Sequence, residues 1–123
     1  MSVNSMKLSL IVPCYNEAEN VAAFQQAVVT AFDGCGYDYE IVYIDDGSRD
    51  ATLHNLKKLH AANTCPVQVI SFSRNFGKEA GIYAGLEHAR GDYISLIDAD
   101  LQQRPELVRQ MVQILEAEPQ VDV

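Results

Sequence analysis

The segment 93–106, YISLIDADLQQRPE, decides the fold that we predict for the whole chain. Its first five residues are typical of a buried strand, which ends abruptly at Asp98 and Asp100. In an extended chain, residues i and i+2 point to the same side and lie about 6.5–7 Å apart, so these carboxylates would repel each other. Either they cap the helix that follows, or they share one hard cation that neutralises both.

The same succession of strand and helix recurs along the whole sequence. Strands are predicted at 7–13, 40–44, 67–72 and 93–97. Three helices are predicted from apolar side chains at helical spacing: Val21, Phe24, Val28 and Phe32, then Leu53, Leu56 and Leu59, then Leu107, Met111, Ile114 and Leu115. Together with a helix at about 79–89, this order predicts one α/β domain with a mostly parallel sheet and helices on both faces.

Two local signals refine the helices. Gly77, Gly81 and Gly85 recur every four residues, which indicates a smooth helix face for close packing against the sheet rather than a ligand loop. Asp50 or Ser48 is expected to cap the second helix. Pro105 is typical of a first helical turn, and Pro119 ends that last helix.

Composition and charge exclude several classes of function. The 123 residues carry a formal net charge of −8, which argues against nonspecific binding to nucleic acid or to an anionic membrane face. The three cysteines Cys14, Cys35 and Cys65 form no CxxC pair, which favours a reducing compartment and no zinc site. No apolar run approaches the roughly 20 residues of a membrane span.

Polar residues follow every predicted strand, at segments 13–17, 45–48, 73–75 and 98–100. Open parallel sheets bind ligands at the carboxyl ends of their strands, so we expect one site there. Asp98 and Asp100 would hold Mg²⁺ or Mn²⁺, ions that prefer oxygen ligands and substrate phosphates. Asp46 is either part of a turn and helix cap or an acceptor for a ribose or a base edge.

No glycine-rich phosphate loop is present, since neither G-x-G-x-x-G nor G-x-x-x-x-G-K-[ST] occurs. A diphosphate would therefore depend on a metal and on side chains. Arg74 and Lys78 could reach an anionic nucleotide, or could be solvated surface charges. The three histidines show no metal or catalytic spacing.

Three quoted segments, LSLIVPCYNEAENV, EIVYIDDGSRDAT and SFSRNFGKEAGIYAGLEHARGDYISLIDADLQ, resemble the family 2 glycosyltransferases of the polyprenyl-phosphate branch. They look most like bacterial bactoprenol glucosyltransferases, and less like dolichol-phosphate mannose synthases. The resemblance implies a GT-A (Rossmann-like) fold and transfer of a hexose from a nucleotide sugar to a polyprenyl phosphate, with inversion. UDP-glucose is the favoured donor, and GDP-mannose is the alternative.

The resemblance also implies roles for particular residues. Asp98 and Asp100 would be the catalytic, metal-binding DxD pair, with Asp100 the more direct ligand. Asp46 would contact the base or ribose, and Gln102 would lie near the diphosphate. The remaining residues of the nucleotide site would be Pro13, Tyr15, Asn16, Glu17, Ile44, Arg74, Lys78 and Ala99.

Members of this branch continue beyond the length of this chain, with an acceptor-binding half and commonly transmembrane helices. We therefore expect residues 1–123 to be an incomplete, soluble donor-binding part with little transferase activity, ending as a fifth strand begins at 121–123. The whole protein would act at the cytoplasmic side of the membrane. An apolar face left uncovered would favour self-association.

Rival interpretations predict different arrangements. A phosphoreceiver domain needs its acidic residues after the first and third strands, whereas here they follow the second and fourth. A nucleotidyltransferase needs a glycine-rich basic loop after the first strand, where PCYNEAEN stands. A non-catalytic nucleotide- or metal-binding module stays open for this part of the chain.

Overall fold

A computed structural model describes residues 6–117, and strands and helices alternate there in the predicted order. The strands are β1 Leu8–Cys14, β2 Tyr39–Asp45, β3 Val67–Ser71 and β4 Tyr93–Leu96. The helices are α1 Val21–Ala31, α2 Thr52–Ala62, α3 Lys78–His88 and α4 Pro105–Ala117. The predicted stop at Pro119 and the fifth strand at 121–123 lie outside the described residues.

The four strands form one parallel sheet in the order β3-β2-β1-β4. The chain runs outward from β1 to β3 and then returns to the other side of β1. Helices α1 and α2 pack on one face of the sheet and α3 packs on the other, which confirms the predicted α/β architecture. The order of strands thus reverses between β1 and β4, the place where open α/β sheets bind ligands.

The main core lies between the sheet and helices α1 and α2. Leu8, Leu10 and Val12 of β1 point to that face and contact Phe24 and Val28 of α1 within one buried cluster. All five are fully buried. Burying each such side chain contributes about 1.5–3 kcal/mol, so this face supplies much of the stability of the described part.

Helix α3 lies close against the opposite face, and at Gly85 the sheet leaves no room for a side chain. A Cβ atom on Gly85 would lie 2.6 Å from Cγ2 of Ile11, and one on Gly81 would lie 3.5 Å from Cγ2 of Ile44. The predicted close packing is therefore confirmed for these two glycines. It is wrong for Gly77, which has open space at that position and instead precedes the helix with φ = 103°.

The predicted apolar stripe of α4 is wrong for three of its four residues, while the fourth, Leu115, is half-buried. Leu107, Met111 and Ile114 are all more than half exposed, whereas Val112 is buried against the core and Val108 packs beside it. Both sets of residues have helical spacing, and the side of α4 that carries Val108 and Val112 packs against α1.

Two apolar side chains of β4, Ile94 and Leu96, are 44% and 48% exposed. Both alternate with Tyr93, which packs against the main core, so they point to the face that α3 occupies over β1 and β2. The predicted self-association through an uncovered face stays a prediction. No helix within residues 6–117 is long and apolar enough to cross a membrane.

A buried carboxylate stabilises the sheet at the end opposite the carboxyl ends of the strands. Glu40 of β2 is fully buried and accepts hydrogen bonds from Ser9 Oγ (2.6 Å), Gln68 Nε2 (2.9 Å) and the backbone N–H of Arg90 (2.8 Å). The Arg90 guanidinium lies 3.0 Å from it. Burial alone would raise the pKa of Glu40, but these hydrogen bonds outweigh it and lower the pKa below 4.5.

Candidate functional site

A pocket of about 180 Å³ opens at the carboxyl ends of the strands, where the strand order reverses. It lies among the loops after β1, β2 and β4 and the first turn of α3. Its lining residues are Pro13, Cys14, Tyr15, Glu17, Asp46, Lys78 and Asp98.

The loop after β1 is held by the loop after β2. Asn16 has a left-handed backbone (φ = 54°), its N–H donates to Ser48 Oγ at 2.9 Å, and its Oδ1 accepts the N–H of Arg49 at 2.9 Å. The N–H of Glu17 donates to Thr52 Oγ1 at 2.8 Å. These bonds fix the backbone beside the pocket, so Tyr15 and Glu17 are presented from a rigid turn.

Asp46 braces the segment that leads into α3. Its Oδ1 accepts the N–H of Phe76 at 2.8 Å and its Oδ2 accepts the N–H of Gly77 at 3.0 Å, while the residue is only 4% exposed. Each carboxylate oxygen has a further lone pair. The carboxylate therefore sets the position of the α3 N-terminus and still lines the pocket.

Lys78, the first residue of α3, reaches across the pocket to Asp98. Its Nζ lies 3.2 Å from Asp98 Oδ1. Asp98 itself follows Ile97, whose N–H donates to the carbonyl of Ile11 at 3.1 Å. Both partners of this ion pair thus extend from backbone that the sheet and helix α3 hold in place.

The extended geometry predicted for Asp98 and Asp100 is wrong. Strand β4 ends at Leu96, Ala99 and Asp100 lie in a turn, and Leu101 has φ = 63°. Asp100 is exposed, and its Oδ1 accepts the N–H of Gln102 at 3.2 Å. Only Asp98 of the pair lines the pocket. The turn forms because the chain must leave the sheet before Pro105 begins α4.

The side-chain charges in the pocket are compatible with a cation that binds together with an anionic ligand. Glu17, Asp46 and Asp98 outnumber the single ammonium of Lys78 among the lining residues. Within residues 6–117, no three His, Cys, Asp or Glu side chains are arranged to hold a metal. Hard oxygen donors in this number suit Mg²⁺ or Mn²⁺, which keep waters and bind through one or two carboxylates plus substrate phosphates. So few carboxylate ligands do not enclose a permanently bound metal ion.

Comparison with known proteins identifies the family. Residues 9–123 match the model of glycosyl transferase family 2. The chain belongs to that family.

Two curated proteins are similar to most of this chain. The glycosyltransferase CsbB of Bacillus subtilis (strain 168) is 47% identical over 105 residues, which is 85% of this chain and 32% of CsbB. The prophage bactoprenol glucosyl transferase homolog of Escherichia coli (strain K12) is 43% identical over 108 residues, 88% of this chain and 35% of that protein. The chain thus spans about a third of the length of these relatives.

A solved structure shows the same fold. The mannosyltransferase PcManGT of Pyrobaculum calidifontis, in complex with GDP-Man and Mn²⁺, superposes with a TM-score of 0.78 at 24% identity, covering 95% of this chain and 34% of that chain. The parallel sheet described above is therefore part of a GT-A fold, as the sequence resemblance implied.

The structure brings together six of the residues that the family resemblance assigned to the site: Pro13, Tyr15, Glu17, Asp46, Lys78 and Asp98. The others do not line the pocket. Ile44 and Ala99 are fully buried, Ile44 beneath Gly81 of α3. The side chains of Asn16, Arg74, Asp100 and Gln102 are exposed outside it. The binding roles of all these residues stay predictions.

Arg74 points to an aromatic side chain. Its guanidinium carbon lies 5.0 Å from the centre of the Phe76 ring, and Phe76 is 53% exposed. This contact gives the guanidinium a local partner in the loop before α3.

Sequence reasoning missed the residues that support the site. Thr52 and Asp50 act behind the pocket: Asp50 accepts the N–H of Thr52 at 2.9 Å and that of Ala18 at 3.3 Å. The predicted N-cap at Asp50 or Ser48 is wrong, since the N-cap position of α2 is Ala51 and has no side-chain cap. Asp50 binds the N–H of the first helical residue from one position further out, and Ser48 accepts the N–H of Asn16. The segment DGSRDAT carried this signal, since Ser, Asp and Thr are the residues that bond nearby backbone N–H groups.

Cys14 was also missed as a lining residue. The residue is 2% exposed, and its Sγ lies 3.5 Å from the carbonyl of Val12. Burial raises the pKa of the Cys14 thiol, with smaller contributions from Glu17 and Asp45. A thiol that stays protonated is a poor nucleophile, so Cys14 forms part of the pocket wall.

Proposed function

We propose that the whole protein transfers a hexose from a nucleotide sugar to a polyprenyl phosphate, and that residues 6–117 carry the donor-binding part of its site. The observation that carries the proposal is the pocket at the strand reversal, where Tyr15, Glu17, Asp46, Lys78 and Asp98 converge in a chain of family 2. The E. coli relative, whose name specifies bactoprenol glucosyl transfer, supports the acceptor class.

The donor is proposed to lie across the ends of β1, β2 and β4. The base and ribose would pack beside Tyr15, which is 44% exposed at the rim, with Glu17 and Asp46 as hydrogen-bond acceptors. Ligand pockets usually measure about 300–1,000 Å³. At about 180 Å³ this pocket accommodates only part of a nucleotide sugar, so other parts of the protein would complete it.

Asp98, with Asp100 after movement of its turn, would hold Mg²⁺ or Mn²⁺ together with the donor diphosphate. The ion would supply Lewis-acid stabilisation of the leaving diphosphate. Lys78 adds a positive charge beside Asp98. Gln102, which follows Asp100 closely in sequence, would lie near the diphosphate. The Mn²⁺ and GDP-Man named for PcManGT support a metal-assisted donor site of this kind.

The acceptor phosphate would attack the anomeric carbon from the face opposite the leaving group, which inverts its configuration. A phosphate oxygen is already anionic, so the attack needs little help from a general base. We favour UDP-glucose over GDP-mannose because the segment FSRNFGKEA resembles the glucosyl branch. The acceptor is a membrane lipid, and we expect the reaction at the cytoplasmic face of the membrane.

The test is transfer of labelled sugar by the purified whole protein, of which these 123 residues form the donor-binding part, to polyprenyl phosphate from UDP-glucose or GDP-mannose. Labelled lipid should form from one donor in Mn²⁺ and should fall by about 100-fold or more in Asp98→Asn, because charge stabilisation at the leaving group is lost. Asp38→Asn, which changes an exposed aspartate far from the pocket, should retain activity. Absence of lipid product with either donor would refute the proposal.

A further inference from the structure

We propose that the ammonium of Lys78 is the counter-ion of the Asp98 carboxylate in the unliganded protein. When a divalent cation binds Asp98, this ammonium moves to the donor diphosphate. This inference rests on the proposed function and assigns Lys78 a role of its own within it. The Nζ–Oδ1 distance of 3.2 Å is the observation from which it starts.

The backbone on both sides of this pair is fixed. Phe76 and Gly77 donate to Asp46, and Gly81 and Gly85 seat α3 directly on the sheet, so Lys78 cannot withdraw by sliding the helix. Asp98 is held through the Ile97 bond to β1. Only the two side chains can move, and the lysine stem is the longer and more flexible of them.

The pair itself is easily broken. The Lys78 and Asp98 side chains are 64% and 45% exposed, and ion pairs in such surroundings contribute little to stability. A divalent cation on the same carboxylate would repel the ammonium at close range. Lys78 therefore has to leave Asp98 when a cation is bound there, and a diphosphate in the pocket offers it a stronger, doubly charged partner.

This exchange predicts effects of opposite sign in one variant. Lys78→Met removes the competitor from Asp98, so Mn²⁺ alone should bind about two- to fivefold more tightly than to the natural protein. The same change removes the partner that the diphosphate gains when the cation binds, so UDP in saturating Mn²⁺ should bind about tenfold more weakly. A residue that merely maintained the fold would lower both affinities or neither.

The experiment uses the purified whole protein. Free Mn²⁺ is followed by electron paramagnetic resonance without nucleotide, and UDP binding is measured by calorimetry in EDTA and again in Mn²⁺. Lys78→Arg should resemble the natural protein because it keeps the charge, and Lys58→Met, on an exposed lysine of α2, serves as the matched control.

Tighter Mn²⁺ with weaker UDP in Lys78→Met, and in neither control, would support the exchange. Equal Mn²⁺ affinities in the natural protein and Lys78→Met, or no Mn²⁺ binding by either, would overturn it, even if UDP bound normally in Mn²⁺. Absence of UDP binding under every condition would instead overturn the proposed function, so the two failures are distinguishable.

Discussion

Gly47 lies so close to Arg74 that a Cβ atom on the glycine would be 2.2 Å from the Arg74 carbonyl carbon. The glycine follows Asp46, whose carboxylate binds the next part of the same loop at Phe76 and Gly77. The turn after β2 and the loop before α3 therefore dock on each other as one unit. This unit sets the position of Lys78 over the pocket.

Gly47→Ala should destabilise the protein by about 2 kcal/mol or more. The side chain would combine a left-handed backbone (φ = 68°) with overlap against the Arg74 backbone. Urea unfolding measures the loss. Gly34→Ala is the matched control, since Gly34 has a similar φ of 72° but nothing within 4 Å of its added Cβ, and should cost only about 1 kcal/mol. Equal losses would show that the two loops do not dock.

Asp46→Asn should loosen the α3 N-terminus. An amide offers one acceptor oxygen where the carboxylate offers two, so either Phe76 or Gly77 would face an N–H group instead of an oxygen. We expect a loss of about 1–3 kcal/mol in unfolding free energy and faster hydrogen exchange at Phe76 and Gly77. Exchange rates unchanged from the natural protein would contradict the bracing role. Asp38→Asn, on an exposed aspartate, is the control.

Glu40→Gln should change how stability depends on pH. The folded-state pKa of Glu40 is lowered, so the unfolded chain binds more protons there and the carboxylate stabilises the fold above about pH 4.5. That stabilisation is lost as pH falls through the folded-state value. The free energy of unfolding of the natural protein should exceed that of Glu40→Gln by about 1–3 kcal/mol at pH 7. This difference should shrink below pH 4.5.

Urea unfolding over this pH range measures the Glu40 effect. Glu87→Gln, on an exposed glutamate of α3, should leave the profile unchanged. A difference between the natural protein and Glu40→Gln that stays constant down to acid pH would show that packing, rather than the charge, accounts for the effect.

Strands, helices and the position of the pocket could be predicted from the sequence because each rests on local patterns. The runs ending at Cys14, Asp45 and Leu96 are apolar and short, and parallel strands bring their carboxyl ends to one edge. The orientation of α4 could not be predicted, since Leu107 and Met111 have the same helical spacing as Val108 and Val112. Which set is buried depends on the neighbours that the folded chain supplies.

The details of the site depend on contacts distant in sequence. Nothing local to Asp46 indicates that Phe76 and Gly77 will donate to it, 30 and 31 residues away. The bond from Glu17 to Thr52 likewise joins residues 35 positions apart. The shared orientation of Asp98 and Asp100 was predicted from strand geometry, but the strand ends before both residues. Asp100 lies exposed in a turn, whereas Asp98 lines the pocket.

The pocket is proposed to bind a nucleotide sugar together with a divalent cation. The most direct test is thermal unfolding of the whole protein with UDP-glucose, GDP-mannose or neither, each in Mn²⁺ and in EDTA. A ligand at about 100 times its dissociation constant adds about 2.7 kcal/mol to the stability, which raises the midpoint measurably. We predict a rise with one nucleotide sugar in Mn²⁺ that EDTA largely removes and that Asp98→Asn abolishes. No rise with either nucleotide sugar, or an equal rise in EDTA, would contradict the claim.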